Sequence, residues 1–546
     1  MKSSTLLCVF FLSFPFFGAT QKMGSKDLPR PKLVVGIVVD QMRWDYLYRF
    51  YNRYSETGFK RLLREGFSCE NTLIDYVPTV TAIGHSTVYT GSVPAIHGIA
   101  GNDFIINASG KTVYCTEDRE VQTVGSSSKA GEMSPRNLLA STITDELKLA
   151  TNFKSKVIGI ALKDRGAILP AGHAADGAYW FDNVTGNFIT STWYMKDLPQ
   201  WVKNFNSQKL PEKYLKQDWN TLYNINTYDQ STPDDTKYEG LVGDKKSPVF
   251  PIKTSQMFSR DYDIIRITPH GNTLTLDMAK AAIQNEFLGQ DDVTDFLTIS
   301  FSSPDYVGHK FGVNAIETED VYLQLDKNLG DLFRFLDTEI GKGKYTLFLT
   351  ADHGAAHNIN FLADNKIPSA RWSGNTTMKE LNKQLEQKLG VKNIVSSLMN
   401  YQVHLNYRVI DSSRISEDEV RQLCVNALRK MPDISFAADM DKIGEASIPW
   451  DIKQKMINGY NIERSGCIQF ALKPAMASAG SSGTTHGSWN PYDSHIPLLW
   501  MGWGIKSGST NRPTGMIDIA PTLAALLHIQ MPNGSIGKPV VEIFTK

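Results

Sequence analysis

The chain has no excess of either charge sign: among its 546 residues, Lys and Arg together number 57, and so do Asp and Glu. This balance gives no support for a nucleic-acid or anionic membrane partner, which a strongly basic surface would favour. A long apolar segment is also missing beyond the N-terminus, where a membrane-spanning helix would need about 20 such residues. We therefore expect no nucleic-acid partner and no membrane association.

Cysteine is scarce, with five in the chain, and no two of them have the CxxC spacing of a thiolate zinc site. Export would permit disulfides, and the four cysteines beyond residue 20 are Cys69, Cys115, Cys424 and Cys467. If a pair forms, Cys424 with Cys467 is the first candidate, because both fall in one expected insertion. Free, buried thiols are the alternative.

The first 20 residues have the pattern of a secretory signal peptide. Lys2 precedes the apolar run LLCVFFLSFPFF, and the small residues Gly18 and Ala19 follow it. The run is shorter than the roughly 20 apolar residues that span a bilayer. A hydrophobic N-terminal strand is the alternative. We expect residues 1–20 to be removed and the mature protein to be periplasmic or secreted.

Strand and helix patterns alternate from about residue 32 to 163 and again from about 271. LVVGIVV and KVIGIAL are typical of buried strands, and a helix with one apolar face is predicted near 318–337. Ser134 followed by Pro135 predicts the start of another helix. This alternation predicts an α/β fold with a doubly wound, mostly parallel sheet that carries helices on both faces.

Two stretches depart from this alternation. Residues 170–275 are rich in Trp, Tyr, Asn, Gly and Pro, which predicts an irregular, cap-like insertion within a catalytic core of 30–375 and 480–546. Residues 375–480 predict a small α+β insertion. Its predicted strands are VHLNYRVI, DISFAAD and CIQFALK, and its predicted helix is SEDEVRQLCVNALRKM.

Carboxylates and imidazoles follow several of the predicted core strands. Asp40 and Asp352 end apolar runs, and Asp305 follows the run DFLTISF within four residues. Sites in open α/β sheets lie beyond the carboxyl ends of strands, and such oxygen and nitrogen ligands suit Zn²⁺. The residues with the chemistry of a two-zinc site are Asp40, Asp305, His309, Asp352, His353 and His486.

The segment VPTVTAIGHSTVYTGSVPAIHGIAGN, residues 77–102, resembles a known pattern. PTxT, TG, HGI and a final Asn are typical of the alkaline phosphatase superfamily, in its nucleotide pyrophosphatase/phosphodiesterase-like branch. The resemblance implies that Thr81 is the nucleophile and that Asn102, 21 residues later, contacts the phosphoryl group. Thr79 is the nearest rival, but the 21-residue step favours Thr81.

Two departures from the diesterases narrow the resemblance. The chain has TAIGH where diesterases usually have TFPNH, and LKDR at residues 162–165 is similar to the phosphate-irrepressible PafA-type bacterial alkaline phosphatases. A monoester brings two negative charges on three non-bridging oxygens, to which the Lys163 charge and the bidentate Arg165 guanidinium are suited. The alternative for this pair is a solvated loop. A sulfatase is disfavoured because Cys/Ser-x-Pro-x-Arg is missing from this motif.

The resemblance also implies a ligand set and a reaction. One zinc would be held by Asp305, His309 and His486, and the second by Asp40, Asp352, His353 and Thr81. A phosphothreonine intermediate would form and then be hydrolysed, and Asn102, Lys163 and Arg165 would stabilise the phosphoryl oxygens. The implied activity is a broad-specificity phosphate monoesterase that uses two Zn²⁺, acts on small-molecule phosphate monoesters and is a monomer.

Two other functions stay open at this point. A phosphodiesterase of the same branch would use the same ligands, and a metal-dependent binding protein would keep them without catalysis. Five further histidines match no ligand position, and either structural roles or contacts that support the ligands are expected for His85, His97, His173, His357 and His495.

Overall fold

The structure is a computed structural model that describes residues 28–257, 262–478 and 480–545. The expected signal peptide, residues 1–20, lies outside the described residues. Ten strands of this part form the main sheet, and in chain order they are β1 (Leu33–Val39), β2 (Phe67–Cys69), β3 (Thr123–Val124), β4 (Val157–Ala161), β5 (Gly177–Asp182), β6 (Asn187–Ser191), β7 (Asp295–Phe301), β8 (Tyr345–Thr350), β13 (Leu498–Gly502) and β14 (Gly508–Thr510).

The strands lie in the order β14-β2-β13-β8-β1-β7-β4-β5-β6-β3. The central five, β8-β1-β7-β4-β5, are parallel, whereas β13 and β6 pair antiparallel with the strands beside them. Every residue of β1 is buried, as expected for a central parallel strand covered on both faces. The predicted α/β fold with a mostly parallel sheet is confirmed.

The helices that matter for the site belong to the core. In chain order the longer helices of the core are α1 (Thr81–Thr90), α2 (Ile143–Ala150), α3 (Asp164–Ala171), α4 (Pro269–Asn285), α5 (Ser303–Phe311), α6 (Ile316–Leu336) and α9 (Ile519–Leu527). The apolar face predicted near 318–337 is buried in α6, including Tyr322 and Phe333. In the described part of the chain, no helix has the length and apolar character needed to cross a membrane.

A smaller sheet lies within the range 375–480. Its antiparallel strands are β9 (Val395–Met399), β10 (Gln402–Leu405), β11 (Ile434–Asp439) and β12 (Ile468–Leu472), and α7 (Gly374–Leu389) and α8 (Glu417–Arg429) accompany them. These elements share a hydrophobic core of their own, separate from the main one. The prediction for VHLNYRVI is half right: the strand ends at Leu405, and Asn406 caps a helix at Tyr407–Ser413.

Two other expectations need correction. Ser134 opens a turn and no helix: its hydroxyl donates to Asp118 Oδ2 at 2.6 Å and accepts from Arg136 N at 3.2 Å. The next helix, α2, begins after Thr142, whose side chain forms a capping box with Asp145. Within 170–275, β5 and β6 belong to the main sheet, so the irregular part of that range is the remainder, with short helices at Gln200–Ser207 and Leu210–Leu215.

The four described cysteines are free thiols. Cys69 and Cys115 are buried in the main core, and Cys424 and Cys467 in the core of the small sheet. Burial raises the pKa of the Cys467 thiol to about 11, which leaves it protonated and unreactive at neutral pH. The alternative of free, buried thiols is therefore the one that the structure adopts.

Candidate active site

Four central strands deliver polar side chains to one edge of the main sheet. Asp40 follows β1 directly, Asp352 follows β8, and Lys163 precedes α3 after β4. Asp305 lies in the first turn of α5, just after β7. Because β1 pairs in parallel with both β7 and β8, and β7 with β4, the carboxyl ends of these strands meet at the same edge.

The first ligand group consists of Asp40, Asp352 and His353, all fully buried. His353 Nε2 lies 3.6 Å from Asp40 Oδ1 and 3.4 Å from Asp352 Oδ2. In the part of the chain that is described, neither of these two carboxylate oxygens has a hydrogen-bond partner. A buried carboxylate oxygen without a partner is costly, which makes this group a candidate for binding a cation.

Helix α1 presents Thr81 to this group. Thr81 is the first residue of α1, and its Oγ1 lies 3.4 Å from His353 Nε2. The helix can approach because a Cβ at Gly84 would collide with the backbone of Asp352. His85 anchors the same turn: its Nδ1 lies 2.9 Å from the Thr81 carbonyl and its Nε2 lies 2.8 Å from Ser300 Oγ.

The second ligand group consists of Asp305, His309 and His486. Asp305 and His309 are four residues apart on α5, so both point to the same side, and His309 Nε2 lies 3.2 Å from Asp305 Oδ1. His486 Nε2 lies 3.2 Å from His309 Nε2 and 3.7 Å from Asp305 Oδ1. The ring of His486 stacks on that of His353 at 3.5 Å between centroids, so the two groups are adjacent.

The three ligand histidines share one arrangement of hydrogen bonds. Nδ1 lies 2.9 Å from the Gly354 carbonyl in His353, 3.0 Å from the Thr484 carbonyl in His309 and 2.8 Å from the Thr79 carbonyl in His486. A carbonyl only accepts, so each Nδ1 carries a proton, and in the neutral form of each ring the lone pair is on Nε2, which faces the carboxylates. Metal-binding histidines are typically oriented by such a hydrogen bond.

Lys163 lies between the two groups. Its Nζ donates to Asp40 Oδ2 at 2.6 Å and to Asp305 Oδ2 at 2.5 Å, and the side chain is buried. Burial opposes the charge, but Asp305 and Asp40 outweigh it and raise the pKa of Lys163 above its usual value. Asp352 adds a third carboxyl group to a cluster with one ammonium, and metal cations would compensate the charge of the ionised carboxylates.

The protonation of the ligands follows from their surroundings. Burial, and then the charge of Asp40, raise the pKa of Asp352 well above its ordinary range. Burial acts against ionisation of Asp305 too, but His309 and Lys163 outweigh it and hold the pKa of that carboxyl well below its usual value. Burial lowers the pKa of His353, as it does for His486 with help from neighbouring histidines. Burial also opposes the charge of His309, but Asp305 outweighs it and raises the pKa of that imidazole, so a metal ion bound there would displace a proton. Neutral imidazoles are the form that binds metals.

Asn102 and Arg165 lie beside the ligand groups and are held in different ways. Asn102 Oδ1 accepts a hydrogen bond from Ala82 N at 2.9 Å, which fixes its amide against the first turn of α1. Arg165 Nη1 is 3.0 Å from Tyr114 Oη, and Tyr114 Oη in turn donates to Asp164 Oδ1 at 2.9 Å. These hydrogen bonds keep a buried guanidinium in one orientation.

Sequence reasoning missed Gln41. Its backbone N donates to Asp352 Oδ1 at 3.0 Å, and its side-chain amide donates to Asp305 Oδ1 at 2.6 Å, so it contacts one carboxylate of each group. The backbone at Gln41 has φ of 65°, and a Cβ at Gly308 would collide with its side-chain oxygen. No motif marks Gln41, although its position directly after Asp40 was available as a signal.

The donor set fits divalent metal ions. It combines carboxylate oxygens with imidazole nitrogens whose lone pairs are free, and these are the ligands of zinc and similar cations. His353 lies within reach of both groups. Its assignment to the same ion as Asp40 and Asp352 therefore rests on the chemistry of the ligands as well as on distance.

The remaining histidines have other partners. Apart from His85, described above, they contact backbone or side-chain groups away from the ligands: His97 contacts Thr87, His173 contacts Asp145, His357 contacts Asn314 and His495 contacts the Glu70 carbonyl. These contacts agree with the structural roles expected for them.

Comparison with known proteins adds a family and close relatives. Residues 34–493 match the family described as type I phosphodiesterase / nucleotide pyrophosphatase. A protein from Myroides odoratus named calcium-transporting ATPase is 58% identical, over 98% of each chain. Alkaline phosphatase PafA from Elizabethkingia meningoseptica is 54% identical, over 94% of this chain and 95% of its own.

A solved structure gives the same result in three dimensions. The crystal structure of wild type alkaline phosphatase PafA superposes with a TM-score of 0.93 at 53% identity, covering 95% of this chain and 100% of the other. The similarity therefore extends over the main sheet, both ligand groups and the smaller sheet.

Proposed function

The chain belongs to the type I phosphodiesterase / nucleotide pyrophosphatase family and is an alkaline phosphatase that hydrolyses phosphate monoesters, and we propose that Thr81 is its nucleophile. The observation that carries this proposal is the place of the Thr81 hydroxyl. It is buried at the start of α1, 3.4 Å from His353 Nε2, beside a cluster of ligands for divalent metal ions.

The two ligand groups would hold two divalent ions, for which Zn²⁺ is the proposed species. Asp305, His309 and His486 would bind one ion, and the other would be bound by Asp40, Asp352, His353 and Thr81. When bound, such ions lower the pKa of a coordinated hydroxyl and neutralise charge on the phosphoryl and leaving oxygens. The dependence on divalent metal is supported by the donor set and by the phosphatase relatives.

The chain's own residues would act as follows. Thr81 Oγ1 gives up its proton and attacks phosphorus, the ester P–O bond breaks, and the leaving oxygen takes the electron pair and a proton. The phosphothreonine is then cleaved by water, which restores the Thr81 hydroxyl and releases phosphate. The first turn of α1 supports the negative charge that develops at Thr81, because partial positive charge collects at a helix N-terminus.

Three side chains would stabilise the phosphoryl oxygens. Asn102 has its carbonyl oxygen occupied by Ala82 N, so its NH₂ group serves as the donor. Lys163 is a buried cation that contacts the ligands Asp40 and Asp305, and Arg165 is a half-buried cation near it; both are suited to a group with two negative charges. The terminal phosphoryl group of ATP resembles a monoester in charge and oxygen count, so we also expect phosphate release from ATP.

The test compares an aryl phosphate monoester with its methyl diester. The purified enzyme, loaded with Zn²⁺, should have the higher kcat/KM for the monoester. Acid quenching during turnover, followed by peptide mass spectrometry, should place the phosphoryl group on the Thr81 peptide. A preference for the diester would favour the phosphodiesterase alternative, and phosphate found on Thr79 would reassign the nucleophile.

Three further expectations stay with this proposal. We propose export to the periplasm or medium, a monomeric state, and a capping role for the irregular part of 170–275. Cell fractionation tests the export, and light scattering of the purified protein tests the monomeric state. Deletion of the short helices Gln200–Ser207 and Leu210–Leu215 tests the capping role.

A further inference from the structure

A second set of buried acidic oxygens lies outside the catalytic cluster, at the start of α6. Glu317 is the second residue of that helix and is fully buried. Within the described ranges, neither of its carboxylate oxygens has a hydrogen-bond partner. Burying an unpaired carboxylate costs several kcal/mol, which is comparable to the net free energy of unfolding of a domain, so the surroundings of the carboxylate must compensate.

The facing wall is the segment 231–240, which is fastened to the corner between α5 and α6. Thr232 N donates to the Asn314 carbonyl and Gly240 N to the Lys310 carbonyl, both at 2.8 Å. Between these two attachments lies Glu239, which is only 6% exposed. Its Oε2 is buried without a hydrogen-bond partner, as is Thr236 Oγ1, in the part of the chain described. Both carboxylate oxygens of Glu317 and one of Glu239 thus lack a partner at this corner, and the Thr236 hydroxyl lies beside the Glu239 carboxylate.

The acidic groups around this corner outnumber the cations. Glu239, Asp234 and Asp320 all act on Glu317. Lys245 is a nearby cation whose Nζ donates to the carbonyls of Val249 and Pro251 at 2.6 and 2.7 Å, and Lys253, next to it, pairs with Asp218 at 3.1 Å. Burial, and then the charge of Glu239, raise the pKa of Glu317 well above its usual range, and burial raises the pKa of Glu239 to about 8. Near neutral pH these carboxyl groups therefore hold protons, which a cation bound between them would displace.

We propose that the carboxylates of Glu239 and Glu317, with the Thr236 hydroxyl, bind a calcium ion. All of these donors are oxygens, and no imidazole or thiol is among them. Hard cations such as Ca²⁺ prefer oxygen ligands, and Ca²⁺ tolerates irregular geometry completed by carbonyls and water, whereas zinc prefers nitrogen and sulfur. The proposed site would therefore select a different ion from the catalytic groups.

The position of this site gives it a structural effect. A cation there would join the segment 231–240 to the α5–α6 corner, and Lys310, which accepts from Gly240 N, directly follows the catalytic ligand His309. We expect bound calcium to stabilise the insertion and the end of α5. This proposal does not depend on the identity of the nucleophile.

The experiment uses the full-length, zinc-loaded protein in buffer freed of calcium by a chelating resin. Isothermal titration with CaCl₂ should show one calcium ion per chain. A calcium concentration one hundredfold above Kd should raise Tm by on the order of 2 °C. MgCl₂ is the parallel probe, and a smaller rise is expected with it because Mg²⁺ demands a stricter octahedral geometry.

Glu317→Gln locates the site, because it keeps the shape and removes the charge. It should lose the heat of calcium binding and the rise in Tm, while its Tm without calcium equals or exceeds that of the wild type. Glu386→Gln, an exposed glutamate of α7 that pairs with Lys392 at 3.4 Å, is the matched control and should keep the calcium response. Glu239→Gln is the second variant should Glu317→Gln fail to fold.

Two results would overturn the proposal. The first is a wild-type protein with neither heat nor a Tm rise on adding calcium. Combined with a more stable Glu317→Gln, it would mean that Glu239 and Glu317 share a proton and bind no ion. The second is an unchanged calcium response in both Glu317→Gln and Glu239→Gln, which would place the calcium elsewhere.

Discussion

The two ligand groups of the active site differ in how the fold supplies them. Asp40, Asp352 and His353 follow adjacent strands of the main sheet and are fully buried. In the other group, Asp305 and His309 belong to α5 and His486 to a loop, and the His309 side chain is 41% exposed. One group is thus built into the core, and the other lies at its border with solvent.

This difference separates two requirements of the reaction. The proposed nucleophile, Thr81, needs a fixed position, which the buried group and the first turn of α1 provide. The departing alcohol and the incoming water need access, which only the more exposed group offers. Rigidity and access are therefore divided between the two groups, and the predictions below test that division.

Metal removal should have the largest effect and should be stepwise. A chelator should lower activity by on the order of 10³-fold or more, because the proposed ions supply most of the charge stabilisation. The exposed group should release its ion first, since solvent reaches the side chain of His309 but none of Asp40, Asp352 and His353. Elemental analysis and activity, followed over time, provide the measurement.

Two release phases, with activity lost in the first, would support the division between the groups. Readdition of Zn²⁺ should restore activity and is the control for unfolding. Simultaneous loss of both ions would contradict it, and full activity in metal-free protein would remove the metal site from the mechanism.

Thr81→Ala should abolish the reaction while leaving the groups themselves intact. We expect a loss in kcat on the order of 10⁴-fold, as for other covalent nucleophiles. Metal content and Tm should stay close to the wild type, because the Thr81 side chain is one small contributor to the buried group. Measurements of kcat, bound zinc and Tm on the same preparation check this expectation.

Thr81→Ser and Thr79→Ala are the matched controls. Serine keeps the hydroxyl and should keep much of the activity. Thr79 Oγ1 donates to the Ser488 carbonyl at 2.9 Å and has no such role, so its loss should cost mainly stability. Turnover by Thr81→Ala near the wild-type level would refute the assignment.

The buried group and the fold were the parts that sequence could predict. Asp40 and Asp352 each end an apolar run, and strands of one parallel sheet must end at a common edge, so their convergence follows from pattern alone. The spacing of Asp305 and His309 likewise matches the turn of a helix, which α5 provides. Local periodicity contains this information.

The rest depends on contacts between distant parts of the chain. Tyr114 contacts Arg165 from a hairpin about 50 residues earlier, and Gln41 reaches Asp305 across 264 positions. Neither contact produces a repeating pattern in the sequence from which it could be predicted. The helix predicted at Ser134 is replaced by a turn, in which the Ser134 hydroxyl accepts from Arg136 N and donates to Asp118 Oδ2, 16 positions earlier in the chain.

Lys163→Ala combined with Arg165→Ala should change the preference between substrates. Hydrogen bonds between charged groups contribute roughly 1.5–3 kcal/mol, or on the order of tenfold to a hundredfold in rate per residue. The double variant should therefore slow the monoester far more than the diester. The measured quantity is the ratio of kcat/KM for the two substrates, with both single variants made because effects at one phosphoryl group need not add.

Lys163 also contacts both ligand groups, so its loss should change the surroundings of the ligands as well as the preference between substrates. Its Nζ contacts Asp40 and Asp305, and removing it leaves both carboxylates with one positive neighbour fewer. Arg165→Ala, which removes a cation that Tyr114 holds, is the control without that contact. An unchanged substrate ratio in the double variant would mean that the pair does not respond to the second negative charge of the monoester.

Gln41→Asn should have the smallest effect, and it tests whether the two groups are independent. Asparagine tolerates the positive φ at this position, and its shorter amide cannot reach Asp305 Oδ1, while the backbone bond to Asp352 remains. Loss of a bond that orients a metal ligand typically weakens metal affinity by 10- to 100-fold, and we expect about tenfold here, confined to the exposed group. Zinc titration against a competing chelator measures it.

Gln402→Asn, which shortens another buried glutamine that bonds Gln469 in the small sheet, is the matched control and should alter stability without altering zinc affinity. Equal weakening at both groups would show that Gln41 couples them, and the division between a rigid and an accessible group would then be a property of one connected site.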